Sequence, residues 1–356
     1  MKNPIVLISV FRESLIGGLA VHSSNLYERL LENGCRAEKI DYAFLFRRSS
    51  VLRRIWIVFK IGIRLLELRF RGAKIFHLHA SNRALLFYIY GPLLYLTGGH
   101  VVLSLHSGYG YARWINDNPI YGRLNKVFFR LLSRLIFMNP EESTRIRAYY
   151  PFLSGRIITV NPFIGPPERE LPVLGRHSDH ARMKMATIGV WEQRYNVEEA
   201  VAAAVRFNAN TGVPTTITVL QSTIRNEPEY HERTLKEIEK ARQSIEVIIL
   251  EDRKDILAIL AAHDVFIRPS YLDSYGLCVA ESLLVGTPAI ATDVCRRCSA
   301  ALLYTRGDEE TLDRHIMTCW ANRDLPRKSG LEVTEDSFNG YFQEYLKLDQ
   351  RLSNNT

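Results

Sequence analysis

The chain has 356 residues, 47% of them hydrophobic and 24% charged, with 46 Lys and Arg against 38 Asp and Glu. This is the balance of a globular protein with room for about two domains, and it excludes a disordered chain and a polytopic membrane protein. The net charge of +8 favours anionic partners: phosphorylated substrates, an anionic membrane face or nucleic acid.

Met1-Lys2-Asn3-Pro4 leads into an apolar run at 5–10 that is too short for the core of a signal peptide and reads as a buried strand. Similar β-rich runs follow at 74–79, 100–106, 135–139 and 157–160, and then at 183–189, 215–220, 247–250, 265–268 and 289–292. Longer helical patterns separate them. Continuous apolar strands alternating with helices predict parallel sheets covered on both faces, and two such series predict two doubly wound α/β domains. Asn161 to Pro167 concentrates Pro and Gly and reads as the linker, followed by a polar stretch at 176–182. The expected boundaries are 1–165, 166–335 and a C-terminal helical segment at 336–356 that crosses back to the first domain. In that segment Phe338, Tyr341, Phe342, Tyr345 and Leu348 fall on one side of a helix over 337–348.

No run reaches the roughly 18 to 20 apolar residues of a membrane span; the longest candidate, 84–97, contains Pro92. The five cysteines are odd in number and irregular in spacing, so a disulfide framework is not expected. Cys295-Arg296-Arg297-Cys298 is a lone Cys pair with no second pair spaced for zinc, so no metal site is expected. Reduced thiols and the lack of a leader predict a cytoplasmic protein. No zinc pattern, RNP motif or helix-turn-helix signature supports a nucleic-acid partner.

The most informative stretch runs from Asp264 to Asp293: strand, Pro269-Ser270, Asp273, Ser274-Tyr275-Gly276, helix with Glu281, Gly286-Thr287-Pro288, strand. A loop after a parallel strand lies at the carboxyl edge of the sheet, where open α/β folds bind ligands. The helix opening at Gly276 presents free N–H groups and a positive dipole end to a diphosphate. Glu281 lies about one and a half turns inside it.

This stretch resembles the Glu-x7-Glu region of retaining glycosyltransferases of the GT-B fold, family 4 in particular. Gly276, Glu281, Gly286 and Pro288 match that pattern, with Asp273 in place of the first Glu, Tyr275 in place of Phe and Ser282 in place of Ala. The resemblance implies a GT-B protein, with two Rossmann-like doubly wound domains facing each other across a cleft. The first would be the acceptor domain and the second the nucleotide-sugar donor domain. It implies that Glu281 accepts from the ribose hydroxyls, that Asp273 holds hydroxyls of the donor sugar, and that the backbone of Ser274, Tyr275, Gly276 and Leu277 lies against the diphosphate or sugar. Gly17-Gly18 after the first strand corresponds to the glycine loop near the donor phosphates. His106 ends a strand as the histidine that contacts the transferred sugar does, and His77 and His79 alternate onto one side of their own strand. No cofactor is implied beyond a UDP- or GDP-sugar co-substrate.

One departure stands out. The family places Arg and Lys after the first strand of the second domain, where they neutralise the leaving diphosphate. Here those positions read Val190 and Tyr195. Arg194 and Arg268 are the nearest substitutes. The activity expected is transfer of a sugar, with retention, to a glycan acceptor, lipid-linked, in bacterial surface polysaccharide synthesis such as O-antigen (lipopolysaccharide) or capsule. The alternative is a catalytically reduced scaffold or glycan-binding subunit.

Residues 47–71 carry eight basic residues (Arg47, Arg48, Arg53, Arg54, Lys60, Arg64, Arg69, Arg71) and one acid, Glu67. On a helix, Arg53, Lys60, Arg64, Glu67 and Arg71 make a polar stripe. Ile55, Trp56, Val58, Phe59, Ile63, Leu66 and Phe70 make a wide apolar face. This pattern suits either a helix packed on its sheet with a basic solvent edge or a peripheral contact with the anionic inner face of a plasma membrane.

Overall fold

A computed structural model describes residues 3–14, 17–46, 50–80, 85–106, 110–166, 171, 181–222, 227–332 and 336–353. Arg47, Arg48, Pro167 and most of the polar stretch at 176–182 lie outside the described residues. The chain divides into two compact units, Met1–Pro167 with Asp336–Thr356, and Glu168–Glu335.

The first unit holds β1 (Ile5–Ser9), α1 (Gly18–Glu32), β2 (Ala37–Asp41), α2 (Val51–Phe70), β3 (Ile75–Ala80), α3 (Leu85–Leu96) and β4 (His100–Leu105). It continues through α4 (Tyr111–Asp117), α5 (Pro119–Phe128), β5 (Leu132–Phe137), α6 (Pro140–Tyr149) and β6 (Ile157–Thr159). The second unit holds β7 (Met183–Val190), α7 (Val197–Thr211), β8 (Thr215–Ser222), α8 (Pro228–Ala241), β9 (Glu246–Glu251) and α9 (Ile256–Ala261). Then come β10 (Val265–Arg268), α10 (Leu277–Leu284), β11 (Ala289–Thr292), β12 (Leu302–Tyr304) and α11 (Glu309–Ala321). The last helix, α12 (Phe338–Ser353), belongs to the first unit.

Each unit is one parallel six-stranded sheet, ordered β2-β1-β3-β4-β5-β6 in the first and β12-β11-β10-β7-β8-β9 in the second. The strand order reverses between β1 and β3, and between β7 and β10. The carboxyl ends of strands at such a switch point diverge and leave a crevice for a ligand.

The apolar strands follow from burial on both faces. Val6 and Ile8 of β1 enter a core with Ile61 and Leu65 of α2 and Phe87 of α3. Ile5 and Leu7 point the other way, onto Leu26 and Leu30 of α1 and onto Phe338, Tyr341, Tyr345 and Leu348 of α12. Each such side chain contributes about 1.5–3 kcal/mol by leaving water, so α12 is anchored by the face its spacing predicted. Its entry is fixed by Ser337, whose hydroxyl and N–H both donate to the Phe163 carbonyl, at 2.7 and 3.0 Å. In the second unit Met185, Ile217, Val265 and Ile290 share a core with Val201 and Ala204 of α7 and Ile316 of α11.

The two strands without an apolar run, β2 and β12, are edge strands, as are β6 and β9 at the opposite ends of the sheets. In β2 only Ile40 is buried, and β12 spans three residues. An edge strand shows one side to solvent and needs no continuous apolar pattern. The α2 helix also differs from its helical projection. The residues that pack inward are Ile61, Leu65 and Leu68, whereas Ile55, Trp56, Phe59, Ile63 and Phe70, placed on the apolar face, are exposed. The helix therefore has two apolar stripes, one in the core and one in solvent. Among the described residues no helix is long and apolar enough to cross a membrane.

Candidate functional site

The second unit gathers its charged residues at the switch point between β7 and β10. The loop after β7 carries Arg194 and Tyr195, and the loop after β10 carries Asp273 to Gly276. The two loops are tied together, because the N–H groups of Tyr271 and Leu272 donate to the Arg194 carbonyl at 2.7 and 3.3 Å. Arg194 itself pairs with Glu192 at 2.6 Å and is half-exposed. The guanidinium carbons of Arg194 and Arg268 lie 4.8 and 4.5 Å from the centroid of the Tyr195 ring. Tyr195 thus lies against both cations, where the resembled pattern has a lysine.

Asp273 is held inside the protein. Its Oδ2 receives Arg268 Nε at 3.0 Å and Arg297 Nη1 at 2.9 Å, and its Oδ1 receives the Ser274 N–H at 2.9 Å. All three charged side chains are buried. Burial opposes ionisation of this carboxyl, but the Arg268 and Arg297 charges overcome it and hold it well below the usual carboxylate range. Burial likewise opposes the charge on Arg268, and Asp273 more than restores it.

Arg297 escaped the sequence reading. In the sequence it stands inside the Cys295–Cys298 pair, although it follows β11 at the carboxyl edge of the sheet, where a cation is informative. Its guanidinium also donates to the Tyr275 carbonyl at 2.9 Å and to the Thr292 carbonyl at 3.2 Å. Its Nη2 is buried without a hydrogen-bond partner.

Gly276 sits against that guanidinium. Its φ is +74°, and a Cβ there would lie 2.3 Å from Arg297 Nη1. Only glycine accepts both the left-handed backbone and the close approach. Gly276 is the N-cap of α10 and has no side chain to cap it; the Val279 N–H donates back to the Gly276 carbonyl at 2.8 Å, which leaves the N–H groups of Leu277 and Cys278 as the ones suited to an anion. Tyr275 is buried, its hydroxyl 3.1 Å from Cys298 Sγ. Glu281 lies half-buried in the second turn of α10. The unit thus combines two buried cations, an open helix terminus and a carboxylate, a set suited to a diphosphate carrying a vicinal diol.

The first unit gathers histidines at the carboxyl edge of its own sheet, near the switch between β1 and β3. Gly17, exposed with φ +151°, is the N-cap of α1, and exposed Gly18 opens the helix. His106 follows β4, where its N–H donates to the Ala80 carbonyl at 2.8 Å. Its Nε2 shares a hydrogen bond with His79 Nδ1 at 3.0 Å. His77 and His79 do lie on one side of β3, with ring centroids 4.0 Å apart. His77 is fixed by the Tyr345 hydroxyl of α12 and by Ser104 Oγ of β4. His22 of α1, unmarked by the sequence reading, completes the group; its ring centroid is 4.7 Å from that of His106. Among the described residues His22, His79 and His106 can together hold a metal ion. Burial pushes His22 down to about 4 against the Pro162 carbonyl, which favours its protonated form. Burial, and then the neighbouring imidazoles, hold His77, His79 and His106 well below the ordinary histidine value. The cluster is neutral near pH 7.

Solved structures share this architecture over the whole chain. A sucrose-phosphate synthase from Thermosynechococcus elongatus is 16% identical with a TM-score of 0.67, covering 100% of both chains. HepE of Anabaena, solved with UDP and glucose, is 13% identical with a TM-score of 0.63, covering 99% of each. A glycosyltransferase from Rickettsia africae is 11% identical with a TM-score of 0.62, covering 100% of both. These likenesses show the GT-B fold. Residues 177–307 match the family described as Glycosyl transferases group 1, a span that includes Arg194, Arg268, Asp273, Gly276, Glu281 and Arg297. No curated protein matches the sequence.

Proposed function

We propose that this protein is a glycosyltransferase that takes a sugar from a UDP- or GDP-sugar and passes it, with retention, to a lipid-linked glycan acceptor in bacterial surface polysaccharide synthesis. The observation that carries the donor assignment is the Gly276 turn: an uncapped helix N-terminus placed against the Arg297 guanidinium, with Glu281 one and a half turns further on. In this reading the second unit is the donor domain and the first the acceptor domain. The N–H groups of Leu277 and Cys278 and the neighbouring cations receive the leaving diphosphate, and stabilising that developing charge is the largest electrostatic contribution to transfer. Arg268 and Arg297 supply the positive field that Val190 and Tyr195 do not. Glu281 accepts from the ribose hydroxyls. Asp273 holds the two arginines in place and offers its remaining lone pairs to the donor sugar. His106, with Gly17 and Gly18, contacts the transferred sugar. HepE, solved with UDP and glucose, is the neighbour that makes UDP-glucose the first donor to try.

The outward apolar stripe of α2 supports a membrane-borne acceptor. Trp56, Phe59, Ile63 and Phe70 are exposed beside Arg53, Arg54 and Lys60, and Lys60 Nζ lies 5.4 Å from the Trp56 ring centroid. Apolar rings flanked by cations suit the interface of an anionic bilayer. A site on the inner face of the plasma membrane follows.

The test is a thermal-shift screen against UDP, GDP, ADP, CMP and their sugar conjugates. A ligand at about 100 times its Kd stabilises the fold by about 2.7 kcal/mol. A shift with UDP or GDP that disappears in Glu281→Ala is expected. Stability unmoved by every nucleotide would overturn the donor assignment.

A further inference from the structure

We propose that His22, His79 and His106 form a binding site for one zinc-type divalent cation, at the carboxyl edge of the sheet in the first unit. One ring nitrogen from each of the three lies within 4.8 Å of the others. The ligands come from three elements, α1, β3 and the residue after β4, so no ligand spacing in the sequence announces them.

The tautomers favour an ion. His22 Nδ1 lies 2.8 Å from the Pro162 carbonyl, which can only accept, so Nδ1 carries the proton of the neutral ring. Its Nε2 is then a bare lone pair, buried and without a hydrogen-bond partner. A metal-bound histidine is commonly oriented in this way, its far N–H donating to a backbone carbonyl. Leaving His22 Nε2 buried and unpaired is costly. His79 Nδ1 and His106 Nε2, 3.0 Å apart, already approach the roughly 3.3 Å separation of two nitrogens on a tetrahedral ion with bonds of about 2.0 Å.

Burial keeps the rings neutral, and only neutral imidazole binds a metal. The rings are also held from behind. His77 stacks on His79, and Tyr341 of α12 packs against His22 and His77 at centroid separations of 5.5 and 5.7 Å. His106 is half-buried. Three imidazoles are a ligand set that zinc accepts; among the described residues no carboxylate joins it, which disfavours magnesium and calcium.

The binding itself does not depend on the donor assignment. One consequence does: if His106 contacts the transferred sugar, an ion on that nitrogen withdraws it, and Zn2+ suppresses transfer.

The test uses the full chain, freed of metal by chelator and titrated with Co2+. Expected are visible d–d absorption bands saturating at one Co2+ per chain and displaced by equimolar Zn2+. The bands should be lost in both His22→Gln and His106→Gln and kept in His315→Gln, a control on the exposed face of α11. His106→Gln keeps the test valid should the buried His22 variant fail to fold. No saturable one-to-one binding, or bands that persist in His106→Gln, would overturn the site. Nucleotide-induced stabilisation measured on the same chelated protein reports on the donor assignment separately.

Discussion

Asp273 Oδ2 lies 2.9 Å from Arg297 Nη1 and 3.0 Å from Arg268 Nε, so one carboxylate oxygen serves two buried guanidinium groups. One anion against two cations leaves the cluster with an excess positive charge beside the Gly276 turn. In the proposed donor site, the charge needed at the leaving group would thus come from behind the loop, without cations at Val190 and Tyr195.

Removing the carboxylate should be expensive. Asp273→Ala strands two charges in a site with almost no solvent, and breaking a buried pair costs about 3–5 kcal/mol. Urea denaturation should show a loss of that order, with a smaller loss in Asp273→Asn, which keeps the shape and one acceptor. A loss below about 1 kcal/mol in the alanine variant would show that the arginines find other partners.

The same pair predicts an acid limit. The folded Asp273 carboxyl is depressed below its unfolded value of about 3.9. The stabilisation is therefore fully present above that value, and it fades as falling pH protonates the unfolded chain first. Urea midpoints measured from pH 7 to pH 3 should carry a component that declines below about pH 4 and is missing from Asp273→Asn. A pH dependence identical in the two proteins would remove Asp273 as its source.

Gly276→Ala should uncouple the turn from Arg297. A left-handed alanine costs about 1–2 kcal/mol, and its Cβ would fall 2.3 Å from Arg297 Nη1 and 3.2 Å from Asp273 Oδ2. The guanidinium or the loop must move, so both the melting temperature and nucleotide affinity should drop. An unchanged nucleotide Kd would place the phosphates elsewhere.

Glu281→Ala tests the other end of the same ligand. Hydrogen bonds to a charged group are worth about 1.5–3 kcal/mol, so isothermal titration should show nucleotide affinity weakened about tenfold or more. The folding free energy should change little, because Glu281 is only half-buried. A 2′,3′-dideoxy nucleotide should bind the native protein and the variant alike; a difference between them would remove the ribose from the assignment.

Much of this was legible in the residues. The central strands announced themselves because burial on both faces demands unbroken apolar runs, and the α12 face because its aromatic residues recur at helical spacing. Of the edge strands, β2 and β12 did not, since in each only one residue is buried, Ile40 and Tyr304. At the site, Asp273, Gly276 and Glu281 are adjacent in one motif, and His77 and His79 follow from strand alternation. Arg297 and His22 are brought in by tertiary structure, 24 residues from Asp273 and 57 residues from His79. Neither separation leaves a local pattern. Which side of α2 packs inward was equally hidden, because both sides are apolar.

That helix supplies the last prediction. Trp56 and Phe59 stack with centroids 5.7 Å apart on the outward stripe, and Ile55, Ile63 and Phe70 continue it. None of these five contributes to the buried core, which α2 joins through Ile61, Leu65 and Leu68. Replacing Trp56 and Phe59 together by Ser should leave the melting temperature within a few degrees, because no cavity is created. It should abolish sedimentation with vesicles of phosphatidylglycerol and phosphatidylethanolamine. Insertion of two aromatic rings and the pull of nearby cations act together at such a surface, each basic residue adding about 1 kcal/mol. Raising the salt from 0.05 to 0.5 M should weaken binding of the native chain, since screening shortens the reach of Arg53, Arg54 and Lys60. Equal sedimentation of native and variant protein would assign the outward stripe to some other contact and remove the membrane from the acceptor side.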